Sequence, residues 1–229
     1  MTVRDIQSHV QELYGADLSP ALISNITKKV MESVTEWQAR PFQNMYPIIF
    51  FDAIHYKVKE NGKVVSKASY TYLGIDLEGK KDVLGIWIGD AEGAKFWLKV
   101  CTELQNRGVK DIFIVCIDGL KTLPDAIKMV FPKVKIQLRI IHMIRNSIKY
   151  VAHNYSKEFM TDLKEIYKAS TKEIAYQNLE KLQKKWESKY ALAVRPWLVH
   201  WDNVKTFFAF PGQIRHLIYT TNAVESVHR

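Results

Sequence analysis

Cysteine is almost absent from this chain: Cys101 and Cys116 are the only two in 229 residues. Two thiols, one of them inside an apolar run, build no disulfide framework, and the sequence reads as a protein of a reducing cytosol. Also missing is any apolar stretch approaching the roughly 20 residues that a membrane-spanning helix needs. Met1-Thr2-Val3-Arg4-Asp5 opens no signal-like segment, so no membrane partner is expected. No internal repeat or low-complexity tract interrupts the chain. Acidic residues are in short supply, with 24 Asp+Glu against 33 Lys+Arg and a net charge of +9. What remains is an ordinary globular composition, 47% hydrophobic and 25% charged, enough for one core and a small second module.

The basic excess is uneven. Residues 1–139 carry 19 Lys+Arg against 16 Asp+Glu, whereas residues 140–229 carry 14 against 8. Charge of this sign suits a polyanion such as DNA.

Two apolar runs stand out. Pro47-Ile48-Ile49-Phe50-Phe51 and Ile112-Phe113-Ile114-Val115-Cys116-Ile117 are each followed at once by an aspartate, Asp52 and Asp118. Continuous runs rich in β-branched and aromatic residues read as buried central strands. A carboxylate just past such a run sits where the core opens to solvent. Two of them on neighbouring strands would lie at one sheet edge, and hard oxygen ligands of that kind suit magnesium. Each aspartate taken singly also fits an Asx turn or a helix cap. Far downstream, Asn222-Ala223-Val224-Glu225 reads as a capping box at a helix start. From spacing alone Glu225 is a cap.

Around these runs the pattern is mixed. Residues 2–36 predict two short helices, capped by Gly15 and opened again by Ser19-Pro20. Ile23, Ile26, Val30, Val34 and Trp37 fall on one face of the second helix, leaving Asn25, Lys28 and Lys29 on another. Such a pair permits a helix-turn-helix, or merely a helical cap. Residues 47–88 predict three antiparallel strands with a turn at Asn61-Gly62. A helix over about 91–107, the Asp118 strand, a helix opened by Pro124 and a strand at 134–138 follow. This order fits a ribonuclease H-like fold. From Ile140 onward the pattern is helical, with His142, Arg145, Asn146 and Lys149 on one side of the first helix. Arg145 and Lys149 suit DNA phosphates or plain solvation; His142 has no partner at zinc spacing. Asp76 and the other turn aspartates read as surface residues, and Trp186, Trp197 and Trp201 as core.

Five stretches, read together, resemble the mutator-type transposases of bacterial insertion sequences. They are Phe51-Asp52-Ala53-Ile54-His55-Tyr56-Lys57-Val58, Glu92-Gly93-Ala94-Lys95-Phe96-Trp97-Leu98, Asp118-Gly119-Leu120-Lys121, His142-Met143-Ile144-Arg145-Asn146-Ser147 and Tyr219-Thr220-Thr221-Asn222-Ala223-Val224-Glu225-Ser226. The resemblance implies an α/β, ribonuclease H-like mixed sheet with an all-helical insertion, preceded by a small helix-turn-helix-like segment. The implied divisions are 1–40 (helical, DNA-binding), 46–139 (catalytic core), 140–218 (insertion) and 219–229 (start of the final core helix). It also implies an Asp-Asp-Glu triad of Asp52, Asp118 and Glu225, holding two Mg²⁺ (or Mn²⁺) ions. Glu225 is thereby promoted from helix cap to third ligand. His142, Arg145, Asn146 and Lys149 become supporting or DNA-contacting residues, and Asn25, Lys28 and Lys29 candidates for DNA binding. The implied function is metal-dependent cleavage and strand transfer of DNA in the bacterial cytoplasm. Double-stranded DNA, both transposon ends and target, would be the partner, and a homo-oligomer the working form. The chain reads as truncated at both ends relative to such proteins. The family commonly shows Cys or Asp, two residues, then His; here Arg139 stands first, and a permanent cation with no acceptor cannot replace such a ligand. The contrasting expectation is therefore a catalytically inactive DNA-binding remnant.

Overall fold

The computed structural model describes residues 3–60, 63–89, 93–118 and 122–219. The chain divides into two compact units, residues 1–42 and 43–229.

The first unit is a pair of helices, α1 (Val3–Tyr14) and α2 (Pro20–Ala39). Gly15 ends α1 with φ +63° and donates its N–H to the Gln11 carbonyl at 3.0 Å. That backbone conformation suits glycine, which has no Cβ to clash. The Ser19 side chain accepts from the Leu22 N–H at 3.1 Å, so the N-cap and N1 proline stand where the sequence places them. Asn25, Lys28 and Lys29 are exposed. Of the apolar row expected to face inward, Ile23 is buried but Ile26 and Val30 are exposed. Two helices alone have one mutual seam to bury, and a second row finds no cover among the described residues of this unit.

The second unit is built on a five-stranded mixed sheet. Its strands are β1 (Met45–Glu60), β2 (Lys63–Ile75), β3 (Lys81–Gly89), β4 (Asp111–Ile117) and β5 (Lys135–Leu138). Their order is β3-β2-β1-β4-β5, with β1–β2 and β2–β3 antiparallel and β1–β4 and β4–β5 parallel. Helices α3 (Ala94–Asn106) and α4 (Leu123–Val130) flank β4 in sequence and supply the connections that parallel strands need. The β2–β3 turn is tied by Asp76, whose carboxylate accepts the Glu78 and Lys80 N–H groups at 2.9 and 2.8 Å. Asp76 is therefore buried, not a surface residue as its turn position suggests.

Side chains alternate along a strand, and both faces of the sheet centre are covered. Ile48 and Phe50 of β1, with Ile114 and Cys116 of β4, join one large cluster with the helices beyond residue 140. Phe51 points the other way, edge-on to Tyr72 at 4.0 Å between ring centroids. Both runs are thus central strands, as their composition implies.

Beyond the sheet lie α5 (Ile140–Ile148), α6 (His153–Tyr167), α7 (Lys172–Val199), α8 (Trp201–Lys205), a 3₁₀ turn (Thr206–Ala209) and α9 (Gly212–Tyr219). Helix α7 is broken at Tyr190, where φ is −134° and ψ 54°. A buried relay ties α5 to α7: the Trp197 indole donates to Ser147 Oγ at 2.8 Å, which donates to the Ala193 carbonyl at 2.9 Å. Trp186 and Trp197 are buried and Trp201 half-buried, in keeping with core roles.

Candidate metal centre

The register of the two central strands brings the aspartates together. Phe50 lies opposite Cys116 in the parallel β1–β4 pairing, so two residues further on Asp52 comes level with Asp118. Ile48, Phe50 and Asp52 share one face, as do Ile114, Cys116 and Asp118 on the neighbour. Adjacent strands run about 4.8 Å apart, which is the right separation for two carboxylates to serve one cation. Asp118 follows the last residue of β4, as its run predicts. Asp52 does not end its strand: β1 continues to Glu60, and Asp52 lies opposite Thr71 of β2. The opening comes from β4 stopping beside it while the β1–β2 hairpin extends beyond the edge of the sheet.

Strand β5 and helix α5 complete the site. The Arg139 N–H donates to the Ile117 carbonyl at 3.0 Å, carrying the β4–β5 pairing one residue past β5. Its own carbonyl accepts from the His142 and Met143 N–H groups at 3.1 and 3.2 Å, so Arg139 is the residue at which strand becomes helix. This pins both Arg139 and His142 over the end of β4. His142 Nδ1 lies 3.3 Å from Asp118 Oδ2. One ligand atom from each of Asp52, Asp118 and His142 falls within 4.8 Å of the others.

The guanidinium of Arg139 stands between the two carboxylates. Its Nε and Nη2 donate to the two oxygens of Asp118, a two-pronged pairing, and Nη2 also donates to Asp52 Oδ1 at 2.5 Å. The Arg139 side chain is 1% exposed, against 12% for Asp52 and 19% for Asp118. Its remaining amino group, Nη1, is buried with no hydrogen-bond partner among the described residues. Burial works against the charge on Arg139, but its hydrogen bonds to Asp118 and the fields of both aspartates outweigh it and hold its pKa above the ordinary value. Burial is also the largest influence on Asp118 and pushes its carboxyl up to about 6, with Asp52 adding to the rise and Arg139 opposing it. One cation serves two carboxylates, so the guanidinium stays charged while Asp118 ionises late.

The donor types suit a divalent ion: two hard carboxylate oxygens and an imidazole nitrogen lie within 4.8 Å of one another. The guanidinium occupies the gap between the carboxylates, so an ion and Arg139 compete for the same oxygens. Beside this cluster opens a cleft of about 470 Å³, lined by Asp118, Arg139, His142, Asn146 and Lys149 and, from the far end of α7, Leu192 and Pro196. Lys149 Nζ donates to Asn146 Oδ1 at 3.1 Å. Of the four residues expected along α5 and just past its end, three reach this cleft; Arg145 is exposed and outside its lining. His200, at the end of α7, also lines the cleft, and nothing in its local sequence pattern marks it. Glu225 lies outside the described residues. Among the described residues no helix is long and apolar enough to cross a membrane.

Comparison with known proteins gives a consistent result. The family described as "Transposase, Mutator family" matches residues 1–229. A transposase for insertion sequence element ISRM3 of Rhizobium meliloti is 46% identical over all 229 residues of this chain, which span 57% of that protein. A probable insertion sequence transposase of Corynebacterium diphtheriae is 42% identical over the whole chain and 67% of its own length. The IS905 transposase of Lactococcus lactis is 34% identical, again over the whole chain and 58% of its own length. The chain thus spans little more than half of the ISRM3 and IS905 relatives. Among solved structures, a simian T-cell lymphotropic virus intasome in complex with PP2A regulatory subunit B56 gamma covers 69% of this chain and 49% of its own, at 13% identity and a TM-score of 0.30, a likeness too slight to argue from.

Proposed function

Because the chain belongs to the Mutator family of transposases, we propose that it carries the DNA-cleaving and strand-joining centre of an insertion-sequence transposase. The observation that supports this reading above others is the meeting of Asp52 and Asp118 on adjacent parallel strands, with His142 on the helix that follows. The sheet with its helical excursion after β5 is read as a ribonuclease H-like core over 46–139, interrupted by an insertion over 140–218. Glu225 is the third carboxylate of the proposed triad, supplied from the segment 219–229.

Asp52, Asp118 and Glu225 would hold Mg²⁺ or Mn²⁺, two ions in the full reaction. Held by these carboxylates, divalent metal would supply Lewis-acid polarisation of a phosphodiester and activation of a water or 3′ hydroxyl. The chain's own residues do the rest. His142 Nδ1, beside Asp118 Oδ2, fixes the orientation of that carboxylate. Asn146 and Lys149 present a donor-rich edge along the cleft, suited to the phosphates of a DNA end. Asn25, Lys28 and Lys29, all exposed on α2, offer a second contact to double-stranded DNA. The protein would act in the bacterial cytoplasm as a homo-oligomer, since two transposon ends must be brought together.

A second reading is a DNA-binding remnant without catalysis, and the cation of Arg139 within the carboxylate pair favours it. Nicking of duplex DNA bearing the element's ends, with Mg²⁺ or Mn²⁺ and with Asp52→Ala and Asp118→Ala as controls, separates the two. Metal-dependent cuts lost in both variants support the transposase centre. Binding without any cut over the whole range of metal concentration leaves the remnant.

A further inference from the structure

We infer that Arg139 is a built-in counter-cation that closes the Asp52–Asp118 pair to divalent metal, so that this chain binds Mg²⁺ or Mn²⁺ there far more weakly than the same chain without the guanidinium. The inference rests on the reading of Asp52 and Asp118 as metal-holding carboxylates. Two observations carry it. The guanidinium bonds to both oxygens of Asp118 and to one of Asp52, using the oxygens an ion would need. Its backbone is fixed by the Ile117 carbonyl on one side and by the first turn of α5 on the other, and the side chain is 1% exposed. It is therefore part of the site's floor and not a surface arm that swings away freely. The guanidinium is a fixed cation, so an entering ion meets its charge as well as its bonds. A divalent ion entering with Arg139 in place would bring a second cation beside the first; with Arg139 displaced, a buried charge would have to find new partners.

The test is direct metal binding, independent of DNA. Mn²⁺ is titrated into the full chain after chelator treatment, and bound ion is read by electron paramagnetic resonance and calorimetry, for wild type, Arg139→Met and Arg139→Ala. Wild type and each variant are also measured with Asp118→Asn added. Wild type should fill an Asp118-dependent site only at millimolar Mn²⁺ or above, so that any cutting by the wild type needs metal at that level. Both single variants should bind at that site more tightly, by roughly 10–100-fold, the range over which groups bonded to metal ligands tune affinity. A wild-type site that Asp118→Asn abolishes, as tight as in the variants, overturns the inference. So do folded variants that gain no binding. Should neither variant fold, the wild-type titration decides alone: an Asp118-dependent site filled well below millimolar Mn²⁺ refutes the counter-cation, and one filled only at millimolar Mn²⁺ or above upholds it. The transposase reading fails separately, when a variant that binds Mn²⁺ well still cuts no transposon-end DNA.

Discussion

Arg139→Met should be among the costliest single substitutions in the second unit, and the structure gives its size. The guanidinium is 1% exposed and serves two carboxylates that are themselves 12% and 19% exposed. Methionine replaces most of the aliphatic volume but none of the charge, leaving Asp52 and Asp118 facing each other in a poorly solvated gap. Breaking a buried ion cluster by removing one partner costs about 3–5 kcal/mol. For a unit of this size that is a fall in Tm of roughly 6–20 °C. The cause is uncompensated charge, so the deficit should shrink near pH 5, where one carboxyl of the pair takes up a proton. It should also largely vanish in the triple variant Asp52→Asn, Asp118→Asn, Arg139→Met, because replacing a whole buried ion cluster by neutral groups is often close to neutral. The assay is urea unfolding followed by circular dichroism, in EDTA, at pH 7 and pH 5. An Arg139→Met protein within about 0.5 kcal/mol of wild type at pH 7, the ordinary scatter of surface changes, would refute the reasoning. A triple variant that falls as far as the single one would refute it too.

Other expectations follow from particular contacts. The Asp118 carboxyl, raised from 3.8 to about 6 in the folded chain, binds its proton there before it does in the unfolded chain. This group therefore adds stability as pH falls from 7 towards 4, by up to about 3 kcal/mol, because each tenfold gain in proton affinity is worth about 1.4 kcal/mol. Urea midpoints of wild type should improve relative to Asp118→Asn over that interval, and a constant difference would count against the raised carboxyl. Trp197→Phe removes the indole donor to Ser147 Oγ and should cost about 1–3 kcal/mol by the same measurement; less than about 0.5 kcal/mol would show that the α5–α7 relay is dispensable. Asp76→Ala, which frees two backbone N–H groups in the β2–β3 turn, should cost a similar amount, and an unchanged unfolding midpoint would deny the turn its role. Lys149→Ala should lower DNA affinity about equally for all sequences and reduce the salt slope of binding by about 1; an unchanged slope would remove Lys149 from the DNA contact.

The two aspartates are legible in the sequence because continuous apolar runs mark central strands, and a carboxylate at the end of one breaks that pattern. Register is not. Nothing local says that β1 and β4 run parallel with Phe50 opposite Cys116, yet that pairing alone sets Asp52 beside Asp118. The apolar run stops at Asp52 and so points to a strand end, but backbone pairing with β2 carries the strand on through alternating, partly exposed residues to Glu60. Asp76 misleads in the opposite sense. Its turn position suggests solvent, whereas its carboxylate is drawn inward by two backbone donors that the turn itself creates. Glu225 lies outside the described residues, and its place in the triad rests on the sequence resemblance.

Arg139 is the position where sequence and structure say more together than either alone. In the sequence it is a cation three residues before His142, where the resemblance implies Cys or Asp. The structure shows what an arginine at this position does for the fold. The residue caps α5 with its backbone, which any amino acid can do, and its side chain meets two negative charges that would otherwise repel each other. An arginine there stabilises the closed arrangement of the carboxylates through the same electrostatics by which a metal would. A change that satisfies the fold in this way takes the charge and the oxygens an ion needs, so stability of the centre and its affinity for metal should move in opposite directions when Arg139 is replaced. Measured on one set of variants, that opposition is the signature of a counter-cation; a residue that merely filled space would lower stability and leave the metal titration unchanged.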